Sequence, residues 1–155
     1  MKKQLSNSEI EKLNTEIKEK FNVQENVFGK KDKVILVEEN EKKFIIQDEV
    51  LFFYHESALV PSLKLLMKKN LLKQIVVDMG AVKFMVSGAD VMRPGIVHIA
   101  EDIKKDEFVV IADQTHKKPL CVAQALYSGE EIQTMNKGKV LKNIHYVGDW
   151  IWKLA

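Results

Sequence analysis

One stretch, Val77 to Ile96, constrains this chain more than any other. It reads VDMGAVKFMVSGADVMRPGI. The apolar run Gln74 to Val77 leads into it and predicts a buried strand. Asp78 offers an N-cap oxygen, and Gly80 lets the chain turn into a short helix. Ala81, Val82, Met85 and Val86 fall at helical spacing, so one face of that helix should be buried. Gly88 stands where a helix stop is expected, because glycine enters the left-handed region without a β-carbon penalty. Arg93-Pro94-Gly95 is a tight-turn tripeptide, with proline presetting φ and glycine able to take φ > 0. Three glycines and a proline within the 16 residues Gly80 to Gly95 bring backbone amides to the surface. Lys83 and Arg93 add positive charge, and no acid lies between Asp78 and Asp90. Such a surface suits a phosphate ligand. A glycine-capped helix and turn with no ligand is the competing reading on these residues alone.

The N-terminal part begins with a helix over Ser6 to Phe21. Ile10, Leu13, Ile17 and Phe21 lie at helical spacing, and Ser8 with Glu11 fits a capping box. Lys33 to Val37 and Lys43 to Gln47 predict a hairpin around the charged loop Glu38 to Lys42, and Val50 to Tyr54 a third strand dense in aromatics. Ser57 to Asn70 reads as a second helix, with Pro61 near its first turn and Asn70 at its stop. On it Leu63, Leu66 and Met67 face a core, and Lys64 and Lys68 form an i,i+4 pair on another face. Lys69 and Lys73 follow, and no acid occurs from Ser57 through Val77. Repulsion between such lysines costs only a few tenths of a kcal/mol, so the pattern does not demand a ligand.

After the opening stretch the pattern is mostly β. Ile96 to Ala100, Glu107 to Ala112 and Pro119 to Leu126 predict strands. Lys139 to Leu141 and Ile144 to Val147 predict two short ones. Ser128 and Glu131 fit a capping box for a helix to about Met135. Trp150 and Trp152 would share a face if the end of the chain were a strand. Short strands with regular turn signals favour a small barrel or sandwich over a parallel sheet. A boundary falls at Asn70 to Lys73, dividing the chain into 1–72 and 73–155. No flexible linker separates the two parts, so firm packing is expected.

Charge and chemistry narrow the function. Of the 24 basic and 22 acidic residues, 13 and 12 precede Lys73, and 11 and 10 follow Leu72. Neither part is a basic tail, so nucleic-acid affinity must come from local patches. Cys121 is the lone cysteine and sits in an apolar run, as a small core residue would. His55, His98, His116 and His145 lack metal-type spacing, and no metal or cofactor is expected. Capping and turns account for Asp78, Asp90, Asp102 and Asp106. No phosphate-binding P-loop, dinucleotide fingerprint or nucleophile elbow is present, so no enzyme activity is expected. No apolar run approaches the roughly 20 residues that span a membrane, and a cytoplasmic location is expected.

Val77 to Phe84 followed by Ser87 to Gly95 strongly resembles the start of a PUA domain, the RNA-binding module of pseudouridine synthases and archaeosine transglycosylases. Leu126-Tyr127-Ser128, Asn136 to Lys139 and Asn143 to Trp150 resemble its later landmarks. Val50 to Phe53 with Pro61 to Leu66 is similar to the pre-PUA domain of the malignant-T-cell-amplified-sequence proteins and ligatin. The two-domain order covers nearly the whole chain and resembles the stand-alone archaeal members.

The resemblance implies an α+β fold: a small α/β N-terminal domain over 1–72, then a mostly antiparallel PUA-like β pseudobarrel with short helices over 73–155. It implies a non-catalytic RNA-binding protein of translation, contacting tRNA or small-subunit ribosomal RNA. The RNA-binding residues carried over are Gly80, Ala81, Lys83, Phe84, Ser87, Gly88, Arg93 and Gly95, with Tyr127 adjacent. Phe84 is a stacking candidate if exposed, and a core residue otherwise. Lys64, Lys68, Lys137, Lys139 and Lys142 are candidates for a phosphate track, with a solvated surface as the alternative. A SUI1-type translation factor is the implied protein partner. An RNA-delivery subunit for a tRNA- or rRNA-modifying enzyme and a protein-interaction adaptor are the alternative functions.

Overall fold

The computed structural model describes residues 1–154. A short strand, β1 (Lys2–Gln4), precedes helix α1 (Asn7–Phe21). The helix opens on a capping box two residues earlier than the sequence indicated. Ser6 Oγ accepts from the Glu9 amide at 3.2 Å, and Glu9 Oε1 accepts from the Ser6 amide at 2.9 Å. Asn22 ends the helix at φ 54°. Strands β2 (Ile35–Glu39) and β3 (Lys42–Gln47) form the expected hairpin. Asn40 and Glu41 both take positive φ, which matches the twist of a two-residue hairpin turn. Strand β4 (Glu49–His55) follows.

The helix expected over Ser57 to Asn70 is mostly not a helix. Glu56 and Ser57 both take positive φ and close a second tight hairpin. Ala58–Pro61 is strand β5, an edge strand on which proline's missing amide is tolerated. Only Leu63–Leu66, capped by Ser62, is helical, and we label it α2. Ser62 Oγ also donates to the Val50 carbonyl at 2.7 Å, which fixes the strand-to-helix corner. The first sheet runs β1-β2-β3-β4-β5, antiparallel throughout.

The second sheet starts with β6 (Gln74–Val77), which leads into a 3₁₀ turn (Met79–Ala81) and helix α3 (Val82–Met85). Then come β7 (Val91–Met92), a 3₁₀ turn over Arg93–Gly95, β8 (Ile96–Ile99), β9 (Phe108–Asp113), β10 (Pro119–Ala125), α4 (Gly129–Thr134) and β11 (Lys139–Tyr146). The two short strands expected near the end are therefore one, interrupted by a bulge opposite Val122 and Ala123. The strand order is β7-β11-β10-β9-β6-β8, with only β6 and β9 parallel. The Ser128–Glu131 capping box is present on α4.

The last described element is helix α5 (Trp150–Lys153) rather than a strand. Gly148 at φ +94° breaks the extended path, and Asp149 Oδ1 accepts from the Trp152 amide at 2.9 Å. The two tryptophans therefore diverge. Trp150 meets Phe44 edge-on beneath the Lys42 ammonium, and Trp152 lies beneath that of Lys64.

Alternation along β9 and β10 joins the two sheets. Val109, Ile111, Cys121 and Ala123 point into the second core, whereas Val110 and Val122 pack with Phe52, Leu63 and Ile151 in the first. Both faces of these strands are covered, which explains why they read as continuous apolar runs. The mixed α+β class and the mostly antiparallel second sheet agree with the sequence reading.

Candidate nucleic-acid interface

Asp78 to Gly95 folds back on itself around a groove of about 400 Å³. The Asp78 amide donates to the Gly95 carbonyl at 2.9 Å, closing the loop at its base. Asp78 Oδ1 accepts from the Ala81 amide at 3.0 Å and starts the helical turn, as the N-cap position demanded. Met85 is buried, with Ala81, Val82 and Val86 packed beside it. The Arg93–Gly95 turn differs from expectation: Gly95 does not use positive φ, and a β-carbon there would lie 3.4 Å from Ala81 Cβ. That distance is ordinary van der Waals contact, so neither left-handed backbone nor a clash requires glycine at this position.

Gly88 is constrained twice. Its φ is +90°, and a β-carbon there would meet the Tyr146 ring at 2.9 Å. The loop on either side is tied to β11 through Asn143, whose side-chain amide donates to the Met85 and Ala89 carbonyls at 3.0 Å each. The Asn143 backbone amide donates to Asp90 Oδ1 at 2.9 Å. The glycine loop is therefore a fixed surface.

Phe84 stands on the groove wall with 53% of its surface exposed. The Lys83 ammonium lies 5.2 Å from its ring centroid, a cation–π contact at the groove mouth. Met79 and Met92 are exposed nearby, Met92 within the lining. Sequence reading missed both methionines, since the spacing that marks a helix face does not say which side water occupies. Ser87 Oγ donates to the Lys83 carbonyl, so its hydroxyl serves the helix end.

The candidates do not all converge. Arg93, carried over as an RNA-binding residue, donates from Nε to the Ile132 carbonyl at 2.8 Å and from its guanidinium to the Ile96 carbonyl at 3.3 Å, so it joins the turn to α4. Lys68 is paired with Glu49 at 2.6 Å and Lys64 lies over Trp152, both on the first half and away from the groove lining. Lys139 pairs across the ladder with Met92 and reaches Asp90 at 3.4 Å, which puts it at the groove's edge. Lys137 is exposed beside Gly138, whose carbonyl accepts from the Arg93 amide. Lys142 is exposed on β11 opposite Gln124. Tyr127 is exposed at the β10–α4 corner, outside the groove lining.

Among the described residues, the acids that line the groove serve the backbone. Asp78 and Asp90 hold backbone amides. Cys121 is buried, and burial pushes its thiol pKa far up.

Residues 73–147 match the PUA domain family. The chain is 41% identical to the uncharacterized protein MJ1432 of Methanocaldococcus jannaschii, over 96% of this chain and 93% of that one. It is 33% identical to malignant T-cell-amplified sequence 1 of Rattus norvegicus, over 97% and 89%. The chain belongs to the malignant T-cell-amplified sequence family of PUA-domain proteins. Translation machinery-associated protein 20 of Saccharomyces cerevisiae is similar in the same way, 33% identical over 81% of this chain and 75% of its own. A hypothetical protein from Pyrococcus horikoshii superposes with a TM-score of 0.83 at 30% identity, over 99% and 98% of the two chains. In this family member the PUA match begins at the strand that leads into the groove and ends just before Gly148. The groove, the glycine loop and the β11 strand that holds it thus lie within the matched residues.

Proposed function

We propose that this protein is a non-catalytic RNA-binding factor of translation that holds an unpaired stretch of tRNA or small-subunit ribosomal RNA in the Asp78–Gly95 groove. The observation that carries the reading is the exposed Phe84 ring beneath Lys83, on the wall of an apolar groove. An aromatic face offers stacking to a splayed base, and the adjacent ammonium offers a contact to phosphate. Gly80, Ala81, Gly88 and Gly95 let the RNA approach the backbone closely, Lys137 and Lys139 extend the cationic rim, and Ser87 shapes the loop. Names of relatives in yeast support the translational setting. Two units, 1–72 and 73–155, divide the work in this reading, with the first presenting the second to its site. A SUI1-type translation factor is the protein partner that the family resemblance supplies. Among the described residues no helix is long and apolar enough to cross a membrane, and a cytoplasmic site of action fits a ribosomal role.

The experiment is fluorescence anisotropy against tRNA and a small-subunit RNA fragment across a salt series. Binding that weakens with salt, and that Lys83→Glu and Phe84→Ala each weaken, supports the reading. Affinity indifferent to salt and to both substitutions overturns it.

A further inference from the structure

β6 and β9 are the parallel pair of the second sheet, with Val77 opposite Asp113. The chain therefore leaves both strands at the same end. After Val77 it enters the groove wall at Asp78, and after Asp113 it enters the turn Gln114 to Lys118. Adjacent strands lie about 4.8 Å apart, so the turn starts beside the groove. Residues 114 to 118 are all exposed. The turn carries His116, Lys117 and Lys118 and no acid.

The turn is rigid. Asp113 Oδ1 accepts from the His116 amide at 2.6 Å and Oδ2 from the Lys118 amide at 3.1 Å. The Lys117 amide donates to the Asp113 carbonyl at 3.0 Å, with Lys117 itself at φ 54°. The one acid at this turn is thus buried and directed at backbone amides, leaving the lysines without a carboxylate partner among the described residues. On its other flank the turn borders a second cleft of about 400 Å³, whose lining includes Lys117, Gln74, Asn70 and the exposed Met67.

We propose that Lys117 and Lys118 form a second phosphate contact, which receives the backbone of an RNA strand continuing out of the groove toward the Met67–Asn70 cleft. The inference rests on the groove binding RNA. It adds a direction and a length to that reading: the footprint runs across the parallel β6–β9 end of the sheet. Recognition at this turn is sequence-independent, because the two ammonium groups, of which that of Lys117 also donates to the Gln114 carbonyl at 3.0 Å, contact phosphate and not base edges.

Single-stranded RNAs of about 4 and about 16 nucleotides, sharing one 3′ sequence, test it. For the longer RNA, Lys117→Ala with Lys118→Ala should flatten the slope of log affinity against log salt by about 1.4, the value for two phosphates on a single strand. The shorter RNA should bind unchanged, and Lys117→Arg with Lys118→Arg should keep the full slope. Phe84→Ala should weaken both RNAs. If the alanine pair leaves the longer RNA's slope intact while Phe84→Ala still weakens binding, this inference falls and the groove stands. Equal losses on both RNAs also overturn it, since the turn would then act on the groove and not beyond it. No salt-dependent binding by the unmodified protein removes both readings.

Discussion

The backbone amide of Leu63 donates to Nε2 of His145 across 3.0 Å, joining α2 of the first half to β11 of the second. An accepting Nε2 carries no proton, so the ring proton sits on Nδ1, where Asp149 Oδ2 accepts it at 2.8 Å. The imidazole is 1% exposed and edge-on to Phe53. Asp149 also accepts from the Tyr146 and Trp152 amides. One histidine thus fixes the first half, the end of β11 and the start of α5 together. Tyr146, next in sequence, supports Gly88 in the candidate RNA loop.

His145→Ala leaves the Leu63 amide buried without its acceptor and opens a cavity. The expected loss is about 3 kcal/mol, combining an unsatisfied donor with lost packing. Urea unfolding measures it, and faster hydrogen exchange at the Leu63 amide localises it.

Acid should weaken the same junction. Burial raises the Asp149 carboxyl pKa, but the hydrogen bond from His145 and those from the Trp152 and Tyr146 amides outweigh it, so the group sits below its ordinary 3.8. A depressed carboxylate contributes stability that is fully present above the unfolded value and is lost as pH falls through the folded one. The Asp149 contribution, read as the stability difference between the unmodified protein and Asp149→Asn from pH 6 downward, should therefore hold until near 3.8 and shrink below it. In Asp149→Asn that part of the acid limb should flatten, on a lower plateau. An unchanged limb would remove Asp149 from the linkage.

Gly88→Ala should cost about 1–3 kcal/mol from the left-handed backbone, plus a clash with the Tyr146 ring. The two contributions separate in a double-mutant cycle. Tyr146→Ala should relieve the clash but not the strain, giving a favourable interaction energy on top of the Gly88→Ala loss. Additive losses would mean that Tyr146 does not limit the position.

Local chemistry was legible in the sequence, and distant partnership was not. The Asp78 cap, the Gly88 stop and the Ser128–Glu131 box each depend on residues within a turn of one another, and their types name the geometry. Of the two carbonyls that Arg93 reaches, Ile96 is three residues away and Ile132 is 39 away, and the second partnership is not legible in the sequence. Leu63 and His145 are 82 apart. Ala58 to Pro61 fits helical spacing as well as strand alternation, and pairing with β4 decides between them. Phe84 was ambiguous for a related reason: the spacing that buries Met85 leaves its neighbour's environment to the packing around it.

Arg93 and Lys83 should consequently fail in different ways. Arg93→Ala removes charge-assisted bonds to two carbonyls, and a loss of about 1.5–3 kcal/mol in stability is expected. Lys83→Ala, at an exposed position, should stay within about 0.5 kcal/mol. On RNA the order reverses: Lys83→Ala should flatten the salt slope by about 0.7 and Arg93→Ala should leave it unchanged. Thermal unfolding and salt-series anisotropy on the same two variants decide the assignment.

Phe84 gives the sharpest separation of binding from folding. With half of its surface in water, Phe84→Ala should shift stability little. If the ring stacks on a base, its loss should weaken RNA binding by about 1–3 kcal/mol, roughly 5- to 150-fold. Phe84→Trp should restore affinity because it keeps an aromatic face, whereas Phe84→Leu should not, although it keeps apolar bulk. Leucine matching phenylalanine would assign the contact to apolar packing in the groove and exclude stacking.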